Sequence, residues 1–234
     1  MEGSVGKLVT CRRFFIMSRA TIKEAHMTNP WEEISLDVYE SHMALDSVHQ
    51  LQALNELMQD QLERYPVRTA MILGVAGGNG LEHVRREKYD TVYGVDLNPA
   101  YLRAAAARHP ALDGVLRLLP LDLTRDAEKL PGAELVIADL LIEYIGYAAF
   151  QNVIGHVGSR YVSCVIQINT GQGEWVSDSP YLHAFDGLDA IHCQMEPAAL
   201  TARMAQIGYR EIFRACTPLP NGKQLLRLDY GVPR

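Results

Sequence analysis

Cysteine, positive charge and long apolar runs are all scarce in this chain, and each scarcity removes a class of function. The four cysteines, Cys11, Cys164, Cys193 and Cys216, stand far apart and form no C-x-x-C pair. Neither a zinc site nor a disulfide framework is therefore expected, and reduced thiols in a cytoplasmic setting are. With 22 Lys and Arg against 28 Asp and Glu, the formal charge of -6 offers no broad basic field to a phosphate backbone, so nucleic acid is not an expected partner. No stretch approaches the apolar length that crosses a bilayer, and no membrane partner is expected. The segment from Leu8 to Met17 is broken by Arg12 and Arg13 and makes a poor signal peptide. Internal repeats and low-complexity tracts are lacking too, and no metal is expected.

What is present suits one α/β domain with extensions: 234 residues, 48% of them hydrophobic. Residues 1–26 look unlike the rest and are expected to be a disordered or non-native extension, with Met27 as a candidate natural start. Residues 27–66 read as an N-terminal helical cap. In it Leu51, Leu54, Leu57, Met58 and Leu62 recur at helical spacing, and the stripe is expected to lie on the sheet edge. Residues 67–234 hold the rest of the domain.

The informative segment is Ala70-Met-Ile-Leu-Gly-Val-Ala-Gly-Gly-Asn-Gly80, followed by Thr91-Val-Tyr-Gly-Val-Asp96. Met71 to Leu73 reads as a buried parallel strand, the glycines as a tight turn, and Leu81-Glu-His-Val-Arg-Arg86 as the start of a helix. Val92 to Val95 is a second strand that ends in the carboxylate of Asp96. A glycine turn lets backbone approach a ligand, and an acid about 20 positions on accepts hydrogen bonds from ribose hydroxyls, so a nucleoside ligand is expected. The dinucleotide pattern G-x-G-x-x-G fits neither register: from Gly74 it places Asn79 at the third glycine, and from Gly78 it places His83 there.

A small residue at every second position, Gly74, Ala76, Gly78 and Gly80, resembles the loop of class I S-adenosylmethionine-dependent methyltransferases, in their small-molecule, type 11-like form. Gly74 stands where that loop usually has an acid, and Ala76 where it has its first glycine. The resemblance continues in order through Asp96, the Asn98-Pro99 helix start, Leu119-Pro-Leu-Asp-Leu123 and Glu134-Leu-Val-Ile-Ala-Asp139. It implies a Rossmann-like, doubly wound, seven-stranded α/β sheet, mostly parallel with a C-terminal antiparallel hairpin, plus N-terminal helices. Tyr161 to Ile168 reads as strand five, Glu196 to Gly208 as a helix, and Arg210 to Thr217 with Lys223 to Tyr230 as the hairpin around Asn221-Gly222.

The resemblance also implies S-adenosylmethionine as cofactor. Gly74, Ala76, Gly78, Asn79 and Gly80 would form its loop, Asp96 would meet the ribose with Leu97 also in the cofactor site, Asp122 would meet the adenine amine with Leu121 or Leu123 over the ring, and Asp139 would sit under the reactive centre. Asp122 has a second reading, as the cap of the turn at Thr124. A small-molecule acceptor is expected beyond the carboxyl ends of the strands, near Tyr39, His42, Tyr144, Asn169 and Tyr181, with Gln167, Trp175 and Asp186 as further candidates. Glu143 and His183 are the candidate general bases. Asp139 is followed by Leu-Leu-Ile rather than Pro-Pro, unlike amino-methyltransferases of adenine or glutamine. Two other readings stay open: a non-catalytic sensor or scaffold on the same fold, and an NAD-dependent oxidoreductase. A homodimer is compatible with the hairpin edge and the apolar helix.

Overall fold

A computed structural model describes residues 29–169 and 175–233; the expected extension over residues 1–26 lies outside them. Seven strands form one sheet: β1 (Thr69–Leu73), β2 (Thr91–Asp96), β3 (Leu116–Pro120), β4 (Leu135–Asp139), β5 (Tyr161–Ile168), β6 (Arg210–Pro218) and β7 (Gln224–Gly231). Their order is β3-β2-β1-β4-β5-β7-β6. The first five run parallel, while β7 is antiparallel to both β5 and β6. β1 and β4, central and nearly all buried, are continuous apolar runs because helices cover them on both faces.

Five helices do the covering: α1 (Leu36–Ala44), α2 (Gln50–Arg64), α3 (Pro99–Arg108), α4 (Ile142–Val157) and α5 (Pro197–Gln206). The sheet side chains alternate between two cores. Met71, Val136, Val162 and Leu228 pack with Phe150 and Ile154 of α4 and Leu200 and Met204 of α5. Ala70, Ile72 and Ile137 pack with Met58 and Leu62 of α2 and Leu102 of α3. α3 begins as its sequence dictates, with the Asn98 side chain accepting from Ala100 N–H at 2.9 Å and proline in the first turn.

Two expectations are corrected. The stripe on α2 lies across the sheet face, not at its edge: Leu54 packs with Val165 and Leu225, while Met58 and Leu62 pack with Ile72. A buried ionic knot fixes it there. Arg227 of β7 pairs with Asp229 at 2.7 Å and reaches Asp60 of α2 at 2.6 Å, and the Tyr65 hydroxyl donates to Asp229 at 2.7 Å.

The helix expected from Leu81 to Arg86 is a single 3-10 turn, Leu81–His83, after which Val84 is extended. α2 already occupies the space over this segment, for a Cβ added to Gly80 would lie 2.6 Å from Met58 Cγ. The chain instead terminates α2: Lys88 Nζ and the Tyr89 hydroxyl donate to the Leu62 carbonyl at 2.5 and 2.6 Å, filling acceptors that a helix end leaves open. Among the described residues no helix is long and apolar enough to cross a membrane.

Candidate active site

The carboxyl ends of β1, β2 and β4 open into a cleft of about 700 Å³. Its floor is the turn after β1. Gly74 and Ala76 both have positive φ, 70° and 46°, as does Leu140 after β4 at 51°. A non-glycine residue in this region carries roughly 1–2 kcal/mol of strain. The turn persists because Gly74 N–H and Val75 N–H both donate to the Val95 carbonyl, and Ala76 N–H donates to Asp96 Oδ2 at 3.0 Å. Asn98 N–H donates to Asp96 Oδ1 at 2.8 Å. Burial pushes the Asp96 carboxyl up, and these N–H groups pull it back down. One carboxylate therefore organises both the glycine turn and the start of α3.

Asp96, Asp122 and Asp139 line the cleft, and among the described residues no Lys, Arg or His does. Asp139 Oδ1 accepts from Gln61 at 2.8 Å, while its Oδ2 is buried with no hydrogen-bond partner among the described residues. Burial drives this carboxyl up to about 7. Asp122 faces the cleft but also makes the capping contacts, accepting from Thr124 N–H at 2.9 Å and Thr124 Oγ1 at 2.6 Å. Leu97 and Leu123 line the same cleft.

Gly78 and Gly80 do not line it. Their φ of 88° and 86° and the Met58 contact explain them as turn and packing residues. Asn79 lies on the far side of the turn, in a cavity of about 530 Å³ shared with Gly74, Ala76 and Asp139. Its amide donates to the Leu51 carbonyl at 2.9 Å. Gly77, which the sequence reading passed over, permits the closest approach of all: a Cβ there would lie 2.3 Å from Glu40 Oε1 and 2.5 Å from Arg108 Nη1.

Trp31, Tyr39, Tyr101 and Tyr144 provide the aromatic walls. The N-terminal segment is latched to α3 through three contacts: Asn98 Nδ2 to the Trp31 carbonyl at 3.0 Å, the Tyr101 hydroxyl to the Ile34 carbonyl at 2.9 Å, and Arg108 to Glu40 at 2.8 Å. The phenol of Tyr39 is pushed up by desolvation and by the carboxylates of Asp96, Glu40 and Asp139.

A second cavity of about 540 Å³ shares Trp31, Tyr39, Leu140 and Tyr144 with the cleft. α4 delivers Glu143 and Tyr144 in its first turn, which Gly146 sets apart from the rest of the helix with φ 74° and ψ 167°. Glu143 is only 4% exposed. Its Oε1 accepts from Gln167 N–H at 2.9 Å, and its Oε2 is buried with no partner among the described residues. Burial pushes this carboxyl up to about 7. Gln50 donates to Gln167 Oε1 at 2.6 Å, and His42 Nδ1 lies 2.8 Å from Ser179 Oγ. Trp175 and His192 stack at 3.9 Å on the cavity wall. Desolvation pushes both histidines down, with Lys223 adding to the effect.

Three expected residues fall elsewhere. The His183 side chain is 92% exposed, pairs with Asp186 at 3.3 Å and lines none of these cavities, so it is corrected as a general base. The segment from Asn169 to Ile191 folds partly into a 3-10 run, Leu182–Ala190, that buries Phe185 and Leu188 and turns His183 to solvent. Tyr181 packs against that cluster beside Ile34 rather than lining the second cavity. Asn169 is tied to Gln167 and Gln194 at 2.8 and 2.7 Å, away from the cavity lining. Conversely His192 and Gln50 line the second cavity without having been anticipated. Neither sits in a motif, and the irregular backbone that carries His192 has no periodicity to reveal it.

The sequence matches no protein-family model and no curated protein. The structure is nonetheless similar to many solved ones. Magnesium protoporphyrin IX methyltransferase from Synechocystis PCC 6803, with bound S-adenosylhomocysteine, superimposes with a TM-score of 0.61 at 12% identity, over 84% of this chain and 94% of that one. The N-methyltransferase NodS from Bradyrhizobium japonicum WM9, also with S-adenosylhomocysteine, gives 0.61 at 11% identity, over 85% and 98%. The cyclase SpnF gives 0.59 at 11%, over 77% and 81%. With its strand order and antiparallel final strand, this chain has the fold of the class I S-adenosylmethionine-dependent methyltransferases.

Proposed function

We propose that this chain transfers a methyl group from S-adenosylmethionine to a small-molecule acceptor. Because a fold hosts many reactions, and SpnF carries this one under the name of a cyclase, the reading rests on the chemistry of the cleft. The observation that carries it is the lining: three carboxylates, aromatic walls and, among the described residues, no basic side chain. Such a surface suits a nucleoside bearing a sulfonium and an ammonium, and it repels a pyrophosphate. The turn after β1 also leads into only three residues of 3-10 helix, so the long helix N-terminus that binds a dinucleotide pyrophosphate is missing. This counts against the oxidoreductase reading.

The residues present fit the cofactor. Asp96 lines the cleft, and its two oxygens, which accept the N–H groups of Ala76 and Asn98, have acceptor capacity left for ribose hydroxyls. Leu97 and Leu123 offer apolar cover for an adenine, and Asp122 an acceptor for its amino group. Asp139 lines the cleft, and its Oδ2 is a buried acceptor with no partner among the described residues. Gly74, Ala76 and Asn79 border the adjoining cavity, room for the amino-acid end. When bound, S-adenosylmethionine supplies an electrophilic methyl on sulfur. The chain's own part is to exclude water with the Leu36–Arg64 helices acting as a cap, to align the acceptor in the second cavity, and to take its proton on Glu143.

Against a non-catalytic sensor stands the second cavity itself, which joins the cleft at Tyr39 and Tyr144 and contains an unpartnered carboxyl oxygen. Release of S-adenosylhomocysteine from S-adenosylmethionine, followed across a panel of small acceptors, separates the two. Turnover with any of them supports the enzyme; tight cofactor binding with no turnover across the panel favours the sensor.

A further inference from the structure

We propose that the second cavity receives an amine, cationic at neutral pH, boxed by Trp31, Tyr144 and Trp175 with its ammonium against Glu143, so that nitrogen is the atom methylated. This rests on the methyl-transfer reading. Successive rings meet as walls of a box do: Trp31 and Tyr39 at 87°, Trp31 and Tyr144 at 90°, Tyr144 and Trp175 at 69°, with centroids 5.6, 4.9 and 6.2 Å apart. Aromatic faces attract a desolvated cation. Among the described residues the one acid in the lining is Glu143, and its Oε2 is buried with no partner among them, so it lacks the counter-charge that a buried carboxylate needs.

Every other titratable group among the described residues of the lining is uncharged near neutral pH. Burial holds His42 from α1 and His192 from the segment after Phe185 down, and it holds the phenols of Tyr39 and Tyr144 up. Outside the lining, Asp139 reinforces the negative field at Glu143. Also outside the lining, Lys223 donates to the Trp175 carbonyl at 2.6 Å, where its charge helps to keep both histidines neutral, and Asp189 accepts from the Trp175 indole at 2.8 Å. An anionic acceptor would meet Glu143 with no cation among the described lining residues to oppose it.

The step balances simply. The bound ammonium gives one proton to the Glu143 carboxylate. The freed nitrogen lone pair forms the N–C bond as the methyl–sulfur bond breaks, its electron pair staying on sulfur. The products are a methylated ammonium and a neutral thioether, and the proton leaves Glu143 for solvent.

The chain's two tryptophans, Trp31 and Trp175, both line this cavity, so their fluorescence reports its occupancy directly. The probes share one carbon frame: 2-phenylethylamine, 2-phenylethanol and phenylacetate, titrated near pH 8 with and without saturating S-adenosylhomocysteine. The amine should bind at least about tenfold tighter than either analogue, as a cation–π contact plus an ion pair would give. Glu143→Gln should reduce that preference to about threefold or less while the alcohol binds as before. Equal binding of the three probes, tighter binding of the alcohol or the acid, no amine binding at millimolar concentration, or a preference that survives Glu143→Gln would overturn the inference. The wild-type comparison stands even if the variant folds poorly. S-adenosylhomocysteine binding is measured separately by calorimetry. Its absence would sink the methyl-transfer reading, whereas a failed amine preference with that binding intact sinks this inference alone.

Discussion

Glu143 makes the stability of the free protein depend on pH in a direction opposite to ordinary acid denaturation. Its carboxyl titrates near 7 in the folded chain, because burial disfavours the charge, and near 4.5 when exposed. Between those values the folded state holds a proton that the unfolded state has lost. Stability from this group is fully present below pH 4.5 and is lost as pH rises through 7. Each pH unit of that gap is worth ~1.4 kcal/mol, so the ionised group costs about 3 kcal/mol. For a chain of this size that is about 6 to 12 °C in Tm.

His42 and His192, pushed down, act in the opposite sense: their contribution is full above 6.5 and falls away as pH drops. They are common to wild type and Glu143→Gln, so the variant isolates the carboxyl. Thermal melts of both proteins, without ligand, at pH 5 and pH 8 provide the assay. The wild type should lose more stability than Glu143→Gln on going from pH 5 to pH 8. Identical pH dependence in the two proteins would refute the burial argument.

Other outcomes follow from the same geometry. Asp96→Ala should weaken S-adenosylhomocysteine binding by about 10- to 100-fold in calorimetry, through loss of charge-assisted hydrogen bonds worth ~1.5–3 kcal/mol; unchanged affinity would void the ribose assignment. Gly80→Ala should destabilise the fold by about 2–4 kcal/mol in urea titrations, summing left-handed strain and overpacking against Met58. Arg227→Met should cost about 3–5 kcal/mol because it strands the buried Asp229, and the double variant Arg227→Met/Asp229→Leu should recover a substantial part of that in the same titration. Arg108→Ala, at a partly exposed pair, should cost about 1 kcal/mol or less in a thermal melt, yet quicken release of S-adenosylhomocysteine in stopped-flow, because Glu40 and the Gly77 carbonyl lose their latch to α3.

The sheet was legible because its signals are local. Val162 to Ile166 is a run that only a doubly covered strand explains, Asn98-Pro99 is a helix start by side-chain chemistry alone, and Asn221-Gly222 marks a turn. What escaped the sequence depends on competition between distant segments. Leu81 to Arg86 has helical composition, but α2 takes its place and claims Lys88 and Tyr89 for its own carbonyls. Glu143 and His183 looked alike as candidate bases. Burial distinguishes them, and burial is set by the Gly146 break and by Phe185 and Leu188, neither of which announces itself in a single sequence. His192 joins the cavity only because the Leu182–Ala190 run returns it onto Trp175.

The central claim is that the cleft over Asp96 and Asp139, acidic and with no basic side chain among the described residues that line it, holds a cationic nucleoside. Calorimetric titration of the purified protein with S-adenosylmethionine, S-adenosylhomocysteine and NAD in parallel tests it most directly. The account predicts micromolar binding of the first two and none of NAD. Binding of NAD, or of none of the three, would contradict it.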